Sequence, residues 1–209
     1  MKTALFDLDG TLIDSREDLA LAVNLTRQDF GLAPISVEAV VACVGEGVRA
    51  LIQRAIPERP DLWGEMLARQ RQHYGDHLLD RTALYPGVEE TLRTLRRAGW
   101  KLGVVTNKPS AASLKILGGL GVLGCFDAVV GGGDCAALKP DPAPLLLAAQ
   151  RLASELTPQD WMVGDNFTDL EAGERAGLRR CFCRYGFGEL RGAGYELAVD
   201  RLDEWLKYL

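Results

Sequence analysis

The sequence predicts an α/β protein: a doubly wound parallel sheet of Rossmann-like type carrying an inserted α-helical cap. Three observations lead there. From Tyr85-Pro86-Gly87 onward, helical and β-rich stretches alternate, the pattern of a parallel sheet flanked by helices. Between the first apolar run and that alternation lies a helix-like block with no strand signal, far longer than a crossover connection needs. Polar residues then recur at the carboxyl ends of the apolar runs, which is where open parallel sheets bind ligands.

The elements follow in order. The first apolar run, ending in Leu5-Phe6, is a strand that passes into Asp7-Leu8-Asp9-Gly10-Thr11-Leu12. Helix-like stretches then cover about 16–30, 36–56 and 60–79, parted by Gly31-Leu32-Ala33-Pro34 and Pro57-Glu58-Arg59-Pro60, whose glycine and prolines end helices. These three form the expected cap, 15–80, inserted into a catalytic core of 1–14 and 81–209, with hinges near 14–16 and 79–84. The core continues as helix 88–98, strand 102–106, helix 110–120, strand 128–130, helix 142–154, strand 161–164, helix 170–176 and strand 180–184. An amphipathic helix over 200–209, bearing Trp205 and Tyr208, is expected to cover the sheet.

Composition narrows the function classes. A net charge of -5 without a basic stripe argues against nucleic acid, and no apolar run approaches the length of a membrane span. The chain reads as a cytoplasmic protein with no obligate protein partner and no membrane role. Its five cysteines are odd in number and lack paired spacing, so neither a disulfide framework nor structural zinc is expected. His73 and His77 could share a helix face but have no third ligand near them. Gly119-Leu120-Gly121-Val122-Leu123-Gly124 matches a dinucleotide fingerprint in letters only, because it follows a helix where the mechanism needs a strand.

Four polar groups rise on one edge if the strands are parallel: Asp7 and Asp9, Thr106-Asn107, Lys139, and Asp165 with Asp169 four residues on. Each alone has an ordinary structural explanation as a cap or a solvated charge; together they hold the parts of a phosphoryl-transfer site. Asp7 is the expected nucleophile, forming an aspartyl phosphate. Asp7 and Asp165 supply carboxylate ligands and Asp9 a backbone carbonyl for a magnesium ion, a hard cation suited to oxygen donors. The Asp9 side chain is then free to protonate the leaving alcohol and later to take a proton from water. Thr106 and Lys139 are expected on the phosphoryl oxygens, with Gly10, Thr11 and Asn107 as further phosphate-binding positions.

These stretches closely resemble the four ordered motifs of the haloacid dehalogenase superfamily: Asp7-Leu8-Asp9-Gly10-Thr11-Leu12, Thr106-Asn107, Lys139-Pro140 and Gly164-Asp165-Asn166-Phe167-Thr168-Asp169. The helical block sits where that superfamily carries its small α-helical cap. Val105-Thr106-Asn107-Lys108-Pro109, Tyr85-Pro86-Gly87-Val88 and Lys139-Pro140-Asp141-Pro142 are similar to the phosphoglycolate phosphatase branch, which implies a magnesium-dependent hydrolase of small phosphorylated metabolites. Within the superfamily, an acid at Asp9 favours phosphoester chemistry over dehalogenation, and Gly164, where mutases tend to carry an acid, favours hydrolysis. By the same resemblance Asp169 orients metal-bound water or Lys139.

Substrate choice is expected to reside in the cap. Arg49, in Val44-Gly45-Glu46-Gly47-Val48-Arg49, is the candidate contact for a substrate carboxylate or sugar oxygen, while Glu46 beside it counts against very acidic substrates. A sugar-phosphate phosphatase or a phosphosugar mutase is the alternative enzyme, and a receiver-type or catalytically silent phosphate-binding domain the alternative without turnover.

Overall fold

The computed structural model describes residues 2–209. Strand β1 (Thr3–Phe6) is followed by a short β2 (Ile13–Asp14), then helices α1 (Arg16–Asp29), α2 (Val37–Val41), α3 (Gly47–Ala55) and α4 (Trp63–Asp76). Next come β3 (Ala83–Leu84), α5 (Val88–Arg97), β4 (Lys101–Pro109), α6 (Ser110–Gly119), β5 (Ala128–Gly132) and α7 (Ala143–Arg151). The chain continues with β6 (Trp161–Gly164), α8 (Phe167–Arg175), β7 (Arg179–Cys183) and β8 (Leu197–Val199).

Six strands form one sheet in the order β5-β4-β1-β6-β7-β8, every neighbouring pair parallel. Its centre is β1, whose residues are all buried because helices cover both faces. Alternation sorts the side chains: Ala4 and Phe6 join the larger core with Trp161 and Val163, while Leu5 and Met162 join a second cluster with Leu145 and Ala148 of α7. The strand order reverses between β1 and β6, so the loops after β1, β4 and β6 open on one crevice.

A single sequence-read helix over 36–56 is in fact two. Ser36 caps α2 by accepting from the Ala39 N–H, and the chain is broken between α2 and α3 by Gly45, whose φ of 121° no helix accommodates, with Gly47 opening α3 at a φ of 87°. The break makes the loop that meets the core. Three short strands escaped the sequence reading. The β2 and β3 pair is antiparallel, with Ile13 opposite Leu84 and Asp14 opposite Ala83, at the two points where the chain passes between sheet and helical insertion. Asp18 of α1 fastens the return crossing, its carboxylate accepting from the Arg81 and Thr82 N–H groups and from the Thr82 hydroxyl at 2.7 Å. The third is β8, which extends the sheet edge.

The C-terminal segment is a 3-10 turn run, Leu202–Tyr208, in place of an α-helix. It does cover the sheet. Trp205 is fully buried and meets Phe6, Trp100 and Trp161 edge-on at 5.7, 5.9 and 5.7 Å.

Candidate active site

Asp7 leaves β1 with its N–H donating to the Val163 carbonyl, so the last sheet hydrogen bond fixes where its side chain stands. Lys139, between β5 and α7, reaches across. Its Nζ lies 2.9 Å from Asp7 Oδ1, 2.7 Å from Asp169 Oδ1 and 2.5 Å from the Val105 carbonyl, which engages all three ammonium hydrogens. Lys139 thus aims Asp7 and offsets its charge. No donor among the described residues binds the other Asp7 oxygen.

Asp165 follows β6 and is almost fully buried. One oxygen accepts from the Thr11 hydroxyl at 3.1 Å, the other from the Phe187 and Gly188 N–H groups at 3.0 and 2.8 Å. Gly10 makes this approach possible: with φ of 82°, a Cβ there would lie 2.0 Å from Asp165 Oδ2. Asp169 sits in the first turn of α8, in a capping box with Asn166.

Three buried acids therefore face one lysine. Carboxylate oxygens of Asp7, Asp165 and Asp169 lie within 4.8 Å of one another, the one such cluster of potential ligands among the described residues. Burial, then the charges of Asp169 and Asp7, holds the Asp165 carboxyl well above its usual range. Burial and the Asp7 charge likewise push Asp169 up to about 7 against the pull of Lys139. Burial acts to lower the Lys139 ammonium, yet Asp169 and Asp7 keep it above its ordinary value. Like charges at this density call for a further cation. The Asp9 carbonyl also accepts no hydrogen bond among the described residues, so the donors on offer are all oxygen, which fits a hard divalent ion such as magnesium.

The Asp9 side chain sits apart from that cluster. Ser15 Oγ donates to its Oδ1 at 2.5 Å, and Lys108 Nζ lies 2.8 and 3.0 Å from its two oxygens. Lys108 also meets the phenol oxygen of Tyr74 on α4 at 2.5 Å. Burial acts to lower the Lys108 ammonium, but Asp9 and Tyr74 keep it above its ordinary value; burial pushes the Tyr74 phenol up to about 12. Thr106 lies at the same cleft, its Oγ1 accepting from the Lys108 N–H.

A cavity of about 300 Å³ extends from Asp9, Thr106 and Asp165 up to the helical insertion. Its walls are largely apolar, with Leu19, Val48, Leu51 and Leu78 among them. Arg71 of α4 and Lys115 of α6 both line it, and neither makes an ion pair or hydrogen bond among the described residues.

Three expected binding positions are placed differently. Arg49 is exposed and does not line the cavity: its neighbour Val48 faces inward, and one residue along a helix turns the side chain by about 100°. Thr11 spends its hydroxyl on Asp165. Asn107 spends its amide on the Gly45 and Lys139 carbonyls, both at 2.9 Å, and its oxygen on the Lys139 N–H. Thr11 and Asn107 therefore build the site from behind. Glu46 pairs with Arg54 and Arg191, which removes its charge as an objection to acidic substrates.

Lys108, Ser15, Tyr74 and the 186–188 loop were missed from the sequence. Strand alternation could have found Lys108, two residues from Thr106 on the same face. Nothing local marks Tyr74, a lone tyrosine on a helix whose neighbours His73 and His77 pair with Asp29 and Asp80.

Residues 4–183 match the family described as haloacid dehalogenase-like hydrolase. The chain is 41% identical to a phosphoglycolate phosphatase of Cereibacter sphaeroides over 192 residues, covering 90% of this chain and 87% of that protein. It is 36% identical to one from Aquifex aeolicus over 209 residues, covering 100% and 97%. A crystal structure described as a predicted phosphoglycolate phosphatase from Haemophilus somnus superposes with a TM-score of 0.92 at 31% identity, covering 100% of this chain and 97% of that one.

Proposed function

The chain belongs to the haloacid dehalogenase-like hydrolases, and from that premise we propose that it hydrolyses a small, doubly anionic phosphomonoester of the phosphoglycolate kind through an aspartyl phosphate on Asp7. One observation carries the reading: Lys139 holds one oxygen of Asp7 and leaves the other free beside a cluster of buried acids.

In the first half-reaction the free Asp7 oxygen forms a bond to phosphorus as the bond to the alcohol oxygen breaks. Asp9 gives that oxygen its proton, a contribution of ~10²–10⁴-fold for an alcohol that leaves poorly. In the second half, Asp9 takes a proton from water as the water oxygen displaces Asp7 from phosphorus. The Thr106 hydroxyl and nearby backbone N–H groups receive the phosphoryl oxygens, while Lys139 keeps Asp7 aimed and offsets its charge. Asp7, Asp165 and the Asp9 carbonyl would hold magnesium, with Asp169 steadying the cluster through Lys139. Bound there, the ion would neutralise phosphoryl charge that three buried carboxylates otherwise repel.

Residues 15–80 act as a cap over a core of 1–14 and 81–209, hinged at the β2–β3 ribbon. The second anion of the substrate meets Arg71 and Lys115, the two cations of the cavity without partners among the described residues. A neutral sugar phosphate would leave both unused. The test compares kcat/KM for 2-phosphoglycolate, its neutral analogue 2-hydroxyethyl phosphate and a hexose phosphate, with and without magnesium. The reading expects magnesium-dependent release, fastest from 2-phosphoglycolate by ~10-fold or more, the scale of one charge-assisted hydrogen bond. A preference for the hexose phosphate, or turnover indifferent to chelator, would refute it.

A further inference from the structure

Asp9 has its nearest cationic neighbour on another element. Lys108 Nζ, buried at the end of β4, spans from the Asp9 carboxylate, at 2.8 and 3.0 Å, to the Tyr74 phenol oxygen, at 2.5 Å. Tyr74 belongs to α4, within the helical insertion, and is itself buried. Three segments distant in sequence thus meet at one ammonium: the loop after β1, the end of β4 and a helix of the cap.

We propose that Tyr74 is a positioning residue through which closure of the cap sets the aim of Asp9, by way of Lys108. The inference rests on the reading of Asp9 as the group that transfers the proton to the leaving alcohol. Proton transfer needs the carboxyl oxygen within hydrogen-bond reach of its partner and correctly directed. Asp9 is gripped on one side by Ser15, at the hinge, and on the other by Lys108. A lysine ammonium ends a flexible four-carbon stem and holds direction poorly by itself. Its second anchor is Tyr74. When α4 withdraws with the cap, that anchor leaves and Lys108 is tied to Asp9 alone; when α4 returns, Lys108 is pinned between two oxygens and Asp9 is fixed with it. Chemistry at an open site, where water competes for Asp7, is thereby disfavoured.

The test uses kcat/KM, which counts only steps up to release of the alcohol. Two esters are compared: 2-hydroxyethyl phosphate, whose alkoxide needs a proton, and p-nitrophenyl phosphate, whose phenolate leaves without one. Tyr74→Phe keeps the ring and its packing and removes the oxygen. The expected result is a fall of about tenfold in the ratio of the alkyl to the aryl value, the effect of one hydrogen bond to a charged group, with unaltered circular dichroism. Lys108→Met is expected to lower the ratio at least as far, and serves alone if Tyr74→Phe does not fold. A residue that only supports the fold would depress both values together and leave the ratio unmoved. An unmoved ratio in the folded variant, with a fallen ratio in Asp9→Asn, overturns this inference alone. An unmoved ratio in Asp9→Asn as well overturns the role of Asp9 and this inference with it.

Discussion

In the proposed mechanism Asp7 would owe its reactivity to being half-restrained. Lys139 takes one carboxylate oxygen at 2.9 Å and the second is left without a donor among the described residues, so the group can rotate little and presents one lone-pair set to the cleft. Replacing that oxygen by an amide nitrogen removes the nucleophile but keeps a side chain of the same shape. Asp7→Asn is therefore expected to fold normally and to lower kcat by ~10⁴-fold or more, the scale seen when a covalent nucleophile is removed. Phosphate release near the wild-type rate would mean that water attacks the ester directly. At this scale the sequence was legible where a polar residue follows an apolar run: Asp7, Lys139 and Asp165 gather in one cluster, while the Asp9 side chain stands apart on Ser15 and Lys108. It was not legible where a polar side chain could serve either ligand or scaffold. Thr11 and Asn107 are spent on Asp165 and on the Gly45 and Lys139 carbonyls, and only three-dimensional hydrogen-bond accounting reveals that.

Among the elements, the strands β1, β4, β5, β6 and β7 followed from period and punctuation, because buried parallel strands are short apolar runs between helices. The cap was harder. Helical periodicity continues through 36–56, and the break at Gly45 and Gly47 lies within a stretch whose neighbours both favour helix. That break decides the phase of α3, and the phase decides that Val48 faces the cavity while Arg49 faces solvent. The same reasoning brings Arg71 forward, since α4 carries it to the cavity wall that Lys115 also lines. Arg71→Ala is expected to raise KM for 2-phosphoglycolate ~3–10-fold, the value of a solvent-accessible charge-assisted contact, and to change KM for 2-hydroxyethyl phosphate by less than that. Equal changes for the two esters would take Arg71 out of substrate recognition. Edge elements such as β8 and the 3-10 run Leu202–Tyr208 were legible only in part: two or three residues of strand carry almost no periodic signal.

For the whole molecule, the arrangement places three buried carboxyl groups and one lysine where the crossover strands diverge, and burial together with their mutual repulsion raises the Asp165 and Asp169 carboxyls. A divalent ion that binds there and not to the unfolded chain adds stability by mass action, ~2.7 kcal/mol at one hundred times its dissociation constant. For a chain of this size that corresponds to a rise in Tm of about 5–10 °C. Magnesium is expected to produce such a rise in the wild type and little in Asp165→Asn, read by scanning calorimetry without any substrate. An equal shift in both would place the ion elsewhere. The parallel sheet, the helical cap and the cavity between them would then act as one device: the sheet offers fixed groups for the phosphoryl end, while cap and core share the walls and contribute one cation each, Arg71 and Lys115, for the rest of the proposed substrate.

The covalent step is open to direct observation. Asp9→Asn protein, mixed with p-nitrophenyl phosphate and magnesium and quenched in acid within the first turnover, should yield a peptide containing Asp7 that is heavier by one phosphoryl group, assigned to Asp7 by fragmentation. Phosphorylation found on another residue, or p-nitrophenol released in stoichiometric burst with no modified peptide, would contradict the mechanism at its root.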